Sequence, residues 1–315
     1  MVKRTNKTVL PDAALLILPR LFTFFCGDAP YSAAYACGML LAAVPQAAAV
    51  LLLTLPHKPY PPVLLRLCRI GALFYAAELT VLFRGLCRGL LLPHCGLMLL
   101  LLFVMLLYTV PQGLRASGRA AGLLFPAGVA AILLLPAGGL HALRGIALFT
   151  PDSTAAGFLR EWRASGELLL IPLLMQNRTP ESARKSLTVW AAVRSALLPL
   201  LVLFGAVQNG RLLRWTGNPF FLLLARTPLS EAIRTDGLWI LYAFVCGAIG
   251  ITFCLQAAEP LRTPRLRMLL PYFAACALFL LCPSARILLY SAAPLFGILL
   301  PAGYVLLRQI RREPA

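Results

Sequence analysis

Residues 164–175 read Ala-Ser-Gly-Glu-Leu-Leu-Leu-Ile-Pro-Leu-Leu-Met, an apolar run that opens on Ser165, Gly166 and Glu167 and carries Pro172 inside it. As a helix, Gly166 to Met175 rises only about 15 Å, half of the ~30 Å hydrocarbon core of a bilayer. The run is too apolar for a surface loop and too short to cross a membrane. Its meaning depends on what surrounds it.

What surrounds it is a membrane protein. The 315 residues are 60% hydrophobic and only 13% charged, with a mean hydropathy of +0.82, whereas soluble domains carry about 25% charged residues. Apolar runs bounded by charges, Pro or Gly fall at 12–26, 32–55, 66–92, 96–110, 119–137, 166–175, 186–207, 236–258, 268–282 and 285–307. These predict an all-α integral membrane protein, a single membrane domain over 1–315 with about ten transmembrane helices. The stretch 208–235 contains an apolar core too short to span and reads as an external connection lying in the interface. The other long connection, 138–165, also reads as external.

The 29 basic residues outnumber the 11 acidic ones, a net charge of +18. They are scattered between the runs rather than gathered into a stripe, so they speak for membrane orientation and against nucleic acid as a partner. With the N-terminus in the cytoplasm, seventeen of the 29 fall on that side and ten on the other, leaving Arg20 and Arg194 within runs. Ten spans then place both termini in the cytoplasm. Lys3, Arg4 and Lys7 precede the first run, but no small-residue cleavage site follows, which reads as a retained membrane segment.

Enzyme and cofactor chemistry find no foothold. There is no phosphate-binding loop, metalloprotease pair, nucleophile elbow or dinucleotide fingerprint. His57, His94 and His141 lie far apart, and the nine cysteines show no C-x-x-C spacing. Neither a metal site nor a cofactor is expected, and the chain does not read as an enzyme.

The short run at 166–175 has a counterpart. The first run, Ala13 to Cys26, rises only about 21 Å and contains Pro19-Arg20. Short or Gly/Pro-interrupted segments at matched positions of two halves point to a transporter-type binding site. Positions one and six of ten correspond in this way, predicting a 5+5 inverted-repeat transporter fold with broken helices 1 and 6. Breaks free backbone groups at mid-membrane depth that need partners. Arg20, Thr23, Ser165, Gly166 and Glu167 are therefore the expected ligand-binding residues, with Arg20 either a clamp for a carboxylate or snorkelling to a membrane face. Two further intramembrane charges are Glu78, in GALFYAAELTVLF (71–83), and Arg194. Such residues mark functional sites by default: Glu78 should face the bundle interior, with a structural ion pair as the alternative, while Arg194 either snorkels to the cytoplasmic side or pairs with an acid.

Four stretches carry a resemblance. QGLRASGRAAGLLFP (112–126) resembles the opening of the fifth helix of endospore germination permeases, the B subunits of nutrient germinant receptors in the amino acid-polyamine-organocation superfamily. SGELLLIPLL (165–174) and LLPLLVLFG (197–205) resemble their sixth and seventh helices, and RTDGLWILYAFVCGAIGITFCLQAAEPL (234–261), with Arg234, Asp236 and Trp239, their eighth. The chain looks like a short or divergent member. The resemblance implies a subunit that senses a small nutrient germinant such as an amino acid, partnered by A and C subunits in the inner membrane of a bacterial endospore. A proton-coupled amino acid transporter on the same fold, with Glu78 as proton carrier, and a ligand-free membrane assembly subunit are the alternatives.

Overall fold

The computed structural model describes residues 9–27, 32–55, 60–90, 95–139, 151–163, 165–176, 178–209, 236–259 and 269–310. Among them all regular structure is helical. The α-helices are α1 (Val9–Phe25), α2 (Ala33–Leu52), α3 (Pro62–Gly89), α4 (Cys95–Thr109), α5 (Leu114–Gly139), α6 (Pro151–Arg163), α7 (Leu170–Met175), α8 (Pro180–Asn209), α9 (Asp236–Ala258), α10 (Leu269–Leu281), α11 (Ala285–Pro294) and α12 (Leu300–Ile310). A 3-10 turn at Gly166–Leu169 leads into α7, and a π-helical turn at Leu295–Leu299 joins α11 to α12.

Seven helical stretches among the described residues are long and apolar enough to cross a membrane: Ala33–Leu52, Pro62–Gly89, Cys95–Gln112, Leu114–Leu133, Pro180–Ala206, Gly237–Ala258 and Ala292–Ile310. α10 is apolar but shorter. The outward faces fit that setting. On α4, Leu97, Leu100, Leu101, Val104 and Tyr108 are all exposed, a band of apolar surface suited to lipid and out of place in water. The chain is thus an all-α membrane protein.

α1 is its central pillar. Every residue from Asp12 to Phe25 except Thr23 is buried, and the helix packs against α3, α5, α8 and α9. A helix that is apolar all round belongs in the interior of a bundle. Small residues let its neighbours approach: Gly247 and Gly250 of α9 sit against the Phe22 ring and Pro19, and Gly122 of α5 against Pro11.

Two expectations are corrected here. The first helix is not broken: α1 runs uninterrupted through Pro19 for 17 residues, about 25 Å. The helix includes Asp12 because that carboxylate is the buried partner of Arg178, whose Nη2 donates to Asp12 Oδ1 at 2.7 Å. A paired charge does not end a buried helix. Second, the connection 138–165 carries α6. Its inward stripe of Thr154, Gly157, Phe158 and Glu161 has helical spacing but little hydropathy.

α6 lies tightly on α2. A Cβ on Gly38 would fall 2.1 Å from the Thr154 carbonyl oxygen, and one on Gly157 would fall 2.4 Å from that of Tyr35. Only glycine permits this backbone-to-backbone crossing. The expected interfacial stretch 208–235 lies, from residue 210 on, outside the described residues, as do His141 and both chain ends.

Candidate functional site

The helical path through segment six is interrupted. α6 ends at Arg163, Ser165 has φ −98° and ψ 49°, and the chain resumes as the 3-10 turn before α7. The turn is buried throughout, and Leu168 and Leu169 meet Gly297 of the π-helical turn, where a Cβ would fall 2.5 Å from the Leu168 carbonyl carbon. Two irregular segments therefore pack backbone to backbone. Such contacts at membrane depth occur only where protein surrounds them.

Four charges meet at this interruption. Glu161, at the end of α6, accepts from Arg20 Nη2 of α1 through Oε2 and from Arg194 Nη2 of α8 at 2.8 Å through Oε1. All three side chains are at most 6% exposed. Arg194 Nη2 also donates to Ser165 Oγ at 2.5 Å, and that hydroxyl, which receives Gln46 Nε2 of α2 at 3.3 Å, donates back to the Glu161 carbonyl. Arg194 Nε approaches Glu167 Oε1 to 3.3 Å. The Trp190 ring lies 5.1 Å from the Arg194 guanidinium carbon, a cation–π contact one turn back on α8.

Of the expected ligand-binding residues, Arg20, Ser165 and Glu167 converge on this cluster. Thr23 joins through Arg20: its Oγ1 accepts from Arg20 Nη1 at 3.1 Å and donates to the Arg20 carbonyl at 2.8 Å. Gly166 stands against Tyr75 of α3, where a Cβ would fall 2.4 Å from the ring. Arg194, expected only as an intramembrane charge, belongs to the cluster as well.

Glu161 is the member that the sequence reading missed. No local signal marks it, because Glu161 lies outside the apolar runs, in the connection 138–165. The gap lined by Ile17, Arg20, Leu21, Trp190, Arg194, Leu197 and Leu198 is too tight to hold a water. The cluster is thus closed on this side, with Arg20 and Arg194 shared among Glu161, Glu167, Ser165 and Thr23.

Glu78 faces the interior, fully buried, and is held apart from that cluster. Both of its oxygens take hydrogen bonds from Arg286 of α11, from Nε and Nη2, each at 2.5 Å. This bidentate fork is the strongest common geometry for a carboxylate and arginine. The side chain of Arg286 is 27% exposed, so the pair sits at the edge of the bundle. Nearby, Leu67, Ile70, Phe74, Leu169, Phe279 and Phe296 line a cavity of about 270 Å³ with an apolar wall. That wall suits hydrocarbon and offers nothing to a charged solute.

Among the described residues no three His, Cys, Asp or Glu side chains are grouped to hold a metal ion. No protein-family model matches the chain, and no curated protein matches it.

Proposed function

We propose that this protein is a receptor-like permease subunit that recognises a small carboxylate-bearing nutrient, such as an amino acid, at the Arg20–Glu161–Arg194–Glu167 cluster. One observation carries the reading: two guanidinium groups from α1 and α8 converge on a single carboxylate beside an interrupted helix. Planar guanidinium groups match carboxylates in geometry as well as charge, and Glu161 occupies the place that a solute carboxylate would compete for. The resemblance of 112–126, 165–174, 197–205 and 234–261 to germination permeases narrows the role to germinant sensing with A and C subunits in the endospore inner membrane.

Binding of labelled amino acids to the purified protein in lipid nanodiscs tests this. Saturable binding that is lost in Arg20→Gln and Arg194→Gln supports it. The absence of binding across the twenty standard amino acids overturns it. The closed packing around Arg194 favours one second reading, a ligand-free assembly subunit in which the same ions serve as a structural staple. Uptake into vesicles separates either from a proton-coupled transporter, since only the transporter accumulates solute.

A further inference from the structure

Glu161 and Glu167 share the cluster but not its hydrogen bonds. Glu161 takes a charge-assisted bond on each oxygen. Glu167 is fully buried, and neither of its oxygens receives a hydrogen bond of good geometry. Its own amide lies alongside, and Arg194 Nε is 3.3 Å away. Gln46 Oε1, Arg20 Nε and Arg194 Nε, all in the same cluster, are likewise buried without a hydrogen-bond partner. A carboxylate is the costliest of such groups to leave unsolvated, and taking a proton removes the part of that cost that comes from its charge.

We propose that Glu167 is the proton-accepting group of this protein, and that its protonation prepares the cluster for an anionic carboxylate. With all four groups charged the cluster is neutral. When Glu167 takes a proton from water, Arg20 and Arg194 exceed Glu161 by one positive charge, which a solute carboxylate then balances. This second step rests on the function proposed above; the first does not.

The surroundings of Glu167 leave no better acceptor. The 3-10 turn that carries it packs against α1, α3, α7, α11 and the π-helical turn. α1 presents Arg20, and α3 presents the Tyr75 phenol, coupled to Arg20. The acid of α3, Glu78, and the base of α11, Arg286, are engaged with each other. α7 and the π-helical turn hold no ionisable residue. From further out come Glu161 on α6, Arg194 on α8 and the Cys254 thiol on α9. Glu78, the proton carrier expected from the sequence, is the poorer choice because both of its oxygens already accept hydrogen bonds from Arg286.

Infrared difference spectroscopy against pH on nanodisc-reconstituted protein reads the proton directly. Subtracting the Glu167→Gln spectra from wild type should leave one carboxylic-acid band that grows on acidification, and Glu78→Gln should retain that band. Should Glu167→Gln not fold, Glu167→Asp must shift the band instead. No band in the subtraction across the pH range in which the fold survives, or a band that Glu78→Gln removes, overturns the proposal. Acetate is the probe for the second step. On the alkaline side of the titration wild type should gain about tenfold in acetate affinity for each pH unit of acidification, and Glu167→Gln should lose that dependence. The same dependence in Glu167→Gln overturns the assignment. If Glu167 titrates but acetate binds at no pH, the proton site stands and the solute-recognition reading falls.

Discussion

Replacing Glu161 with Gln tests the cluster at its centre. The substitution keeps the shape and removes the charge that two guanidinium groups share. At 2.8 Å between Arg194 Nη2 and Glu161 Oε1, unit charges attract by about 6 kcal/mol at an effective dielectric of ~20. Desolvation offsets most of that gross figure, so the pair adds little net stability. Removing one partner is different, because the amide nitrogen of Gln faces an arginine and two buried cations lose their shared counter-charge. Breaking a buried pair costs about 3–5 kcal/mol, and that is the expected loss for Glu161→Gln. Glu167 remains to temper the repulsion. The double variant Glu161→Gln/Arg194→Gln removes one charge of each sign and should be about 1–3 kcal/mol more stable than the sum of the single effects. Reversible unfolding in mixed micelles, or steric trapping in bicelles, measures all three. Glu181→Gln is the control: its partner Lys185, four residues on, is half exposed, so no measurable change is expected. A Glu161→Gln protein within ~1 kcal/mol of wild type, or strict additivity in the double variant, would refute the bridging role.

Three further outcomes follow from the packing. Glu78→Gln should cost about 1–3 kcal/mol, less than Glu161→Gln because the Arg286 side chain is partly exposed; equal losses in the same unfolding assay would contradict that ranking. Gly38→Val should separate α2 from α6, since its Cβ meets backbone rather than a movable side chain; a cysteine crosslink between the two helices that still forms at the wild-type rate would disprove the crossing. Gly166→Ala should cost about 1–3 kcal/mol by overpacking against the buried Tyr75 ring, whereas an unchanged unfolding midpoint would place that ring elsewhere.

Hydropathy made the membrane class readable, because burial in lipid needs nothing more specific than long apolar runs. Arg20, Ser165 and Glu167 were traceable because charge and helix-breaking residues inside such runs stand out. Glu161 was hidden for the opposite reason. It lies in PDSTAAGFLREWR, a helix whose inward face is built from Gly157 and Glu161 and so leaves no trace in hydropathy. The crossing of Gly38 and Gly157 is a contact between distant residues, and neither glycine announces its partner locally. Asp12 misled in a related way: a charge reads as the edge of a run until Arg178, 166 residues later, is found beside it. Pro19 likewise read as a break, yet neighbouring helices enclose α1 closely enough to keep it continuous.

The sharing of Glu161 also has a consequence for biosynthesis. Arg20 is made 141 residues before its counter-charge, and at ~5–20 residues per second that interval lasts roughly 7–30 s. Throughout it, α1 carries a lone guanidinium that costs about 2.5–3.5 kcal/mol at the centre of a bilayer. The nascent first helix therefore waits displaced toward one membrane face, or sheltered by the insertion machinery, with its arginine reaching for water. Its final depth is set only when α6 delivers Glu161. A helix made halfway along the chain thus decides where the first-made helix comes to rest.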